Sequence, residues 1–230
     1  MIYYVSENVL NEISQADNVR YKRKYYAKLY DFIESNIEDI FVSFRTDNFV
    51  TSINPNNKYG TPTGLYTYPL KFFKDEFLKQ FYDSFTSDTI NTNMLFSSTL
   101  FPYIPYGSKH LNIYFLKNKK GIVNSNDNSL YIINEKKDII REFYDKSRAK
   151  ERYSYDVLED EYNMKRFIND VIPNPHYRSN MSLLYLLLLC LSGGNMTRLR
   201  NMYTSMGIDA LIDYGTGTIH PSEPYQAVFF

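Results

Sequence analysis

The sequence predicts an α+β fold, a small split antiparallel β-sheet surrounded by α-helices, on three observations. Short apolar runs bounded by Gly, Pro, Ser and Asp recur near 40–46, 65–68, 110–116, 129–133, 209–213 and 226–230, the pattern of buried strands. Longer stretches with apolar residues every third or fourth position lie between them, at 18–38, 71–85, 138–147 and 153–172, the pattern of amphipathic helices. The 230 residues, 43% hydrophobic, suffice for one core of ordinary size. A single domain over 1–230 is therefore expected, with 1–39 as an N-terminal helical segment.

Composition narrows the function classes. Lys and Arg number 26 and Asp and Glu number 26, so no net field draws the chain to nucleic acid or to a membrane surface. Cys190 is the only cysteine and sits in an apolar run, which excludes an internal disulfide and a Cys-based metal site and marks it as a small core hydrophobe. Three His without HExxH-type spacing predict no metal site. The P-loop, the Rossmann glycine pattern and the G-x-S-x-G elbow are likewise missing. The opening Met1-Ile-Tyr-Tyr-Val-Ser-Glu7 has neither the basic start nor the apolar core of a secretion signal. The greasiest run, 183–191, is about half of the roughly 20 residues a spanning helix needs. A cytoplasmic protein with no membrane partner is expected.

Taken in order, 18–38 places Tyr25, Leu29, Phe32, Ile33 and Ile37 on one helical face, and a solvated opposite face accounts for the basic run at 20–28. The strand near 40–46 puts Ser43 and Arg45 on one side, because residues two apart in a strand share a face. Pro55, Gly60, Pro62 and Gly64 fix a turn-rich loop that leads directly into the strand at 65–68. Phe73, Phe77, Phe81 and Phe85 repeat every fourth residue, an aromatic stripe that belongs to a core helix. Two prolines make 101–107 an extended connector or an edge strand. The alternation at 110–116 and the apolar run at 129–133, joined through Gly121, predict a hairpin. Helices follow at 138–147 and 153–172. A further helix starts near Met181 with Ser179 or Asn180 as its cap and stops at Gly193-Gly194. The last helix starts at Asn195 or Thr197 and stops at Gly207.

The final two dozen residues crowd polar groups between two apolar strands. Asp209 and Asp213 anchor turns there. Gly215 and Gly217 allow a tight turn, Pro221 and Pro224 stiffen the return, and His220, Glu223 and Gln226 stand in the loop. Gly207-Ile-Asp-Ala-Leu-Ile-Asp213 followed by Glu223-Pro-Tyr-Gln-Ala-Val-Phe-Phe230 resembles the end of ADP-ribosyltransferase-like domains of phages and mobile elements. Thr61-Pro-Thr-Gly-Leu-Tyr-Thr-Tyr-Pro-Leu70 is similar to the second core segment of the same family, and its Gly-Leu-Tyr also resembles the second-strand entry of poly-ADP-ribose polymerase-like and diphtheria-toxin-like folds. With 40–48, these segments stand in the family's order and cover roughly a third of the chain.

The resemblance implies NAD as substrate. It implies that Ser43 or Arg45 holds NAD from the first core strand, that Gly64 opens the second, and that Tyr66 or Tyr68 stacks on nicotinamide. His220 would border the same site. The family's usual Glu before the last strand is replaced by Gln226, and Glu223 is the nearby carboxylate able to stabilise an oxocarbenium-like ribose. A mono-ADP-ribosyltransferase-like protein that modifies a host protein or nucleic acid, in the host cytoplasm or attached to a virion, is the leading expectation. The alternative is a non-catalytic virion or interaction module of the same fold. A toxin-like nuclease is a third reading and requires Lys and Arg to converge beside His220.

Overall fold

The computed structural model describes residues 2–6, 19–45, 64–86, 100, 101, 104, 107, 108, 110–173, 175, 181–215 and 225–230. The α+β class is the one observed, with seven helices and seven strands among the described residues. The chain divides into two compact units, one formed by 1–51 and 67–118 and the other by 52–66 and 119–230.

In the first unit, β1 (Ile2–Ser6) and β2 (Ile40–Arg45) both pair antiparallel with β4 (His110–Phe115), and β3 (Leu65–Pro69) pairs antiparallel with β2. Ile40, Val42 and Phe44 lie opposite Phe115, Ile113 and Leu111, so one sheet face is wholly apolar. It packs with α1 (Val19–Ser35) and α2 (Lys74–Thr86) in one core. The four-residue phenylalanine repeat buries Phe73, Phe77, Phe81 and Phe85, as the sequence indicated. On α1 the stripe runs through Tyr26, Leu29 and Ile33, while Tyr25 is 47% exposed. The expected Leu29, Ile33 and Ile37 are buried and Phe32 packs on the core, so only Tyr25 departs from the expected face, its place taken by Tyr26, which continues the three- and four-residue spacing. Strand β1 was not anticipated.

In the second unit, β6 (Ala210–Ile212) lies between β5 (Gly121–Val123), to which it is parallel, and β7 (Ala227–Phe229), to which it is antiparallel. The parallel pair arises because the connection from β5 to β6 is a helical crossover and not a hairpin. That crossover corrects the hairpin expected from 129–133. Residues Asn126–Glu135 form helix α3, capped by Ser125, whose Oγ accepts from Asn128 N at 3.3 Å. Ser129, Ile132 and Ile133 are buried, a spacing of three and four that belongs to a helix even though the residues are strand-formers.

Helix α4 (Lys137–Asp145) follows as expected. The stretch expected as one helix over 153–172 is a 3-10 turn, Tyr155–Leu158, and then α5 (Glu161–Val171), because Asp160 Oδ1 accepts from Asn163 N at 2.8 Å and starts a new helix. Helix α6 (Leu183–Ser192) is capped by Ser182 and not by Ser179 or Asn180, and Gly193 closes it at φ 65°. Asn195 caps α7 (Met196–Ser205), its Oδ1 accepting from Arg198 N at 2.9 Å. Every residue of α6 is buried, which makes it the axis of this unit's core. No described helix is long and apolar enough to cross a membrane.

Candidate functional site

The expected site residues fall on both units. In the first, alternation places Ser43 on the sheet face opposite the apolar core, directly across from Asn112. Ser43, Thr67, Asn112 and Tyr114 are all buried on that face. The Ser43 and Tyr114 hydroxyls are hydrogen-bonded at 3.2 Å. Asn112 is 0% exposed, and neither its Oδ1 nor its Nδ2 has a hydrogen-bond partner among the described residues. A buried carboxamide left without partners costs about 1–3 kcal/mol, so a strand with apolar alternatives keeps it at a price in stability. Its one donor face and one acceptor edge match another carboxamide or a hydroxyl. Asn112 was read from sequence only as the polar side of β4; an Asn flanked by Leu111 and Ile113 in mid-strand was the available signal.

Tyr68 lies within the aromatic core of the first unit, its ring 5.3 Å from that of Phe101 and 6.1 Å from that of Phe73. That placement makes it a core residue in the described structure. Arg45 pairs in backbone register with His110.

In the second unit, Gly64 sits against the last strand. A Cβ there would collide with the Phe229 carbonyl oxygen and come within 2.7 Å of Val228 Cγ1. Only glycine allows this approach. Tyr66 packs on the core around α6, next to Tyr185. Burial, with Tyr66 nearby, pushes the Tyr185 phenol well above its ordinary value, and burial does the same to Tyr203.

The closing segment is anchored at both ends. Asp213 N donates to Gln226 O at 2.8 Å, and the buried Asp213 carboxylate accepts from Gly215 N at 3.1 Å. Gly215, at φ 94°, lies so close to the Tyr225 ring that a side chain would overlap it. Asp209 ties β6 to the β5 entry, its Oδ2 accepting from Lys120 N at 2.9 Å. Both aspartates thus anchor turns, as their flanking positions indicated. Gln226, 4% exposed, leads into β7. His220, Glu223 and Gly217 lie outside the described residues, as do 54–63 and 87–93.

Ser43 and Tyr68 are thus described in one unit, and Gly64, Tyr66 and Gln226 in the other. A cleft of about 900 Å³ in the second unit is lined by none of these residues, and its walls include Arg148, Arg152 and Arg198. The alternating Lys146, Arg148, Lys150, Arg152 run was its sequence signal. No group of three or more His, Cys, Asp or Glu placed to hold a metal ion occurs among the described residues. No protein-family model, curated protein or solved structure matches the chain.

Proposed function

We propose that the protein is an NAD-dependent mono-ADP-ribosyltransferase-like protein of phage or mobile-element type that modifies a host protein or nucleic acid in the host cytoplasm or from the virion. The observation that carries this reading is the seating of Gly64 on β7. The two most specific sequence segments, 54–70 and 207–230, lie far apart in the chain, yet Gly64 and Phe229 touch. A chance likeness of two segments would place no such demand on their contact.

In this reaction the bond between C1′ of the ribose and the nicotinamide nitrogen breaks, and nicotinamide leaves with the bonding electrons. An acceptor atom of the target forms the new bond to C1′ and loses its proton. The intervening ribose carries positive charge, which a carboxylate stabilises. Gln226 can hydrogen-bond a ribose hydroxyl but supplies no charge, so Glu223 takes that role. Ser43 and Arg45 are the β2 residues that the resemblance assigns to NAD, and Tyr66 offers the aromatic face, since Tyr68 is enclosed in the first unit's aromatic core.

A second reading, a non-catalytic virion or interaction module, is favoured by the neutral, buried Gln226 and by the packing of Tyr68 inside an aromatic core. Nicotinamide release from NAD separates the two. The transferase reading expects release by wild type and its loss in Glu223→Ala, with Gln226→Ala slowed and still folded by circular dichroism. Release unchanged in Glu223→Ala would remove that residue from the chemistry. No release and no NAD binding by wild type would leave the interaction module.

A further inference from the structure

The cleft bearing Arg148, Arg152 and Arg198 belongs to no part of the function proposed above. Arg148 lies in the 3-10 turn Arg148–Glu151, Arg152 directly follows it, and Arg198 comes from the first turn of α7. Segments remote in sequence therefore bring three arginines to the walls of one concavity of about 900 Å³. None of the three side chains makes a hydrogen bond or ion pair with a described residue, whereas five Lys-carboxylate pairs form elsewhere. Glu151 and Asp170 also line the cleft, so its charged walls carry three positive groups against two negative ones. Gly193, on the same wall, has open space where a side chain would stand.

We propose that this cleft binds a ligand carrying two or more linked phosphates, with a nucleoside body as its best occupant. Guanidinium forks match phosphate oxygens two bonds at a time, which a single ammonium cannot do. Several arginines without carboxylate partners are suited to such a multiply charged group, and the positive end of α7 adds to the attraction at Arg198. Glu151 and Asp170 repel phosphate and accept hydrogen bonds, so they suit sugar hydroxyls. Tyr153, held edge-on against Phe167 at 4.9 Å, adds an aromatic wall. The volume lies within the range of small-molecule sites, which favours a nucleotide over a nucleic-acid strand.

The test is calorimetric titration of inorganic triphosphate and of ATP into wild type, Arg152→Gln, Arg198→Gln and the double variant. Lys24→Gln, exposed on α1, is the control. Both probes should bind wild type and Lys24→Gln alike, each single substitution should weaken binding about tenfold, and the double variant should show no heat. Tighter binding of ATP than of triphosphate supports the nucleoside body, and equal binding reduces the assignment to polyphosphate alone. Circular dichroism and thermal midpoints verify that the exposed-residue variants fold. Absence of heat with wild type, equal weakening by Lys24→Gln, or an RNA oligomer that binds through these arginines when triphosphate does not, would each overturn the proposal. Nicotinamide release should be unchanged in Arg152→Gln, so failure here and failure of the transferase reading are distinguishable.

Discussion

Gly64 and Asn112 each occupy a position where the neighbouring structure restricts the choice of side chain. At Gly64 the restriction is steric, because the β7 backbone fills the space of a Cβ. Gly64→Ala should therefore cost about 1–3 kcal/mol in urea unfolding as residue 64 is pushed away from Val228 and Phe229. An unchanged midpoint would mean that the approach is not maintained in solution. At Asn112 the restriction is chemical, because an apolar residue of similar volume would remove two buried polar atoms that have no partner among the described residues. Asn112→Leu should leave the protein as stable as wild type or about 1 kcal/mol more stable in urea unfolding. Lost stability would show that the carboxamide is hydrogen-bonded in solution. Individual residues of this kind were only partly legible in the sequence. Gly64 stood out inside a turn-rich motif, whereas the lack of a described partner for Asn112 depends on which strands flank β4.

Helix α6 shows how elements divide into those evident from local pattern and those decided by context. Its apolar run and double glycine stop are explicit in the sequence, but the cap is Ser182, whose backbone is extended and whose Oγ accepts from Tyr185 N. Ser182→Ala should cost about 1 kcal/mol of stability, measurable by thermal or urea unfolding, with no comparable effect from Ser179→Ala. In α3, strand-forming residues adopt a helix because the cap at Ser125 and the buried face at 129, 132 and 133 outweigh their local preference. The burial of α6 and α7 also sets a pH dependence. Burial pushes the Cys190 thiol up to about 12, while an unfolded thiol titrates near about 8.5. Below about 8.5 both states keep the proton and the native contribution is complete; at higher pH the unfolded chain loses its proton first and stability falls towards pH 12. The buried phenols of Tyr185 and Tyr203 act in the same direction. Thermal midpoints should therefore fall steadily above about pH 9, less steeply in Cys190→Ala. A flat profile would show that these groups are solvated.

At the scale of the whole molecule, the spacing of apolar residues indicated the α+β class and most of its helices, but the division into two compact units was not visible. The reason lies in β3. The unit boundary falls between Tyr66 and Thr67, so this short strand supplies Tyr66 to one core and Tyr68 to the other, and no linker composition marks the change. The expected single domain predicts one unfolding transition seen alike by far-ultraviolet circular dichroism and by tyrosine fluorescence. Separate transitions would make the units independent. The parallel β5–β6 pair was equally hidden, since pairing partners depend on a crossover of many residues and not on either strand's own pattern.

The most direct measurement of the central claim is a titration of NAD into isotope-labelled protein, followed through backbone amide resonances. NAD bound at the proposed site should shift amides that cluster at Gly64, Tyr66 and Gln226 to Phe229. No shift at about 1 mM NAD, or shifts confined to the surroundings of Arg148, Arg152 and Arg198, would contradict it.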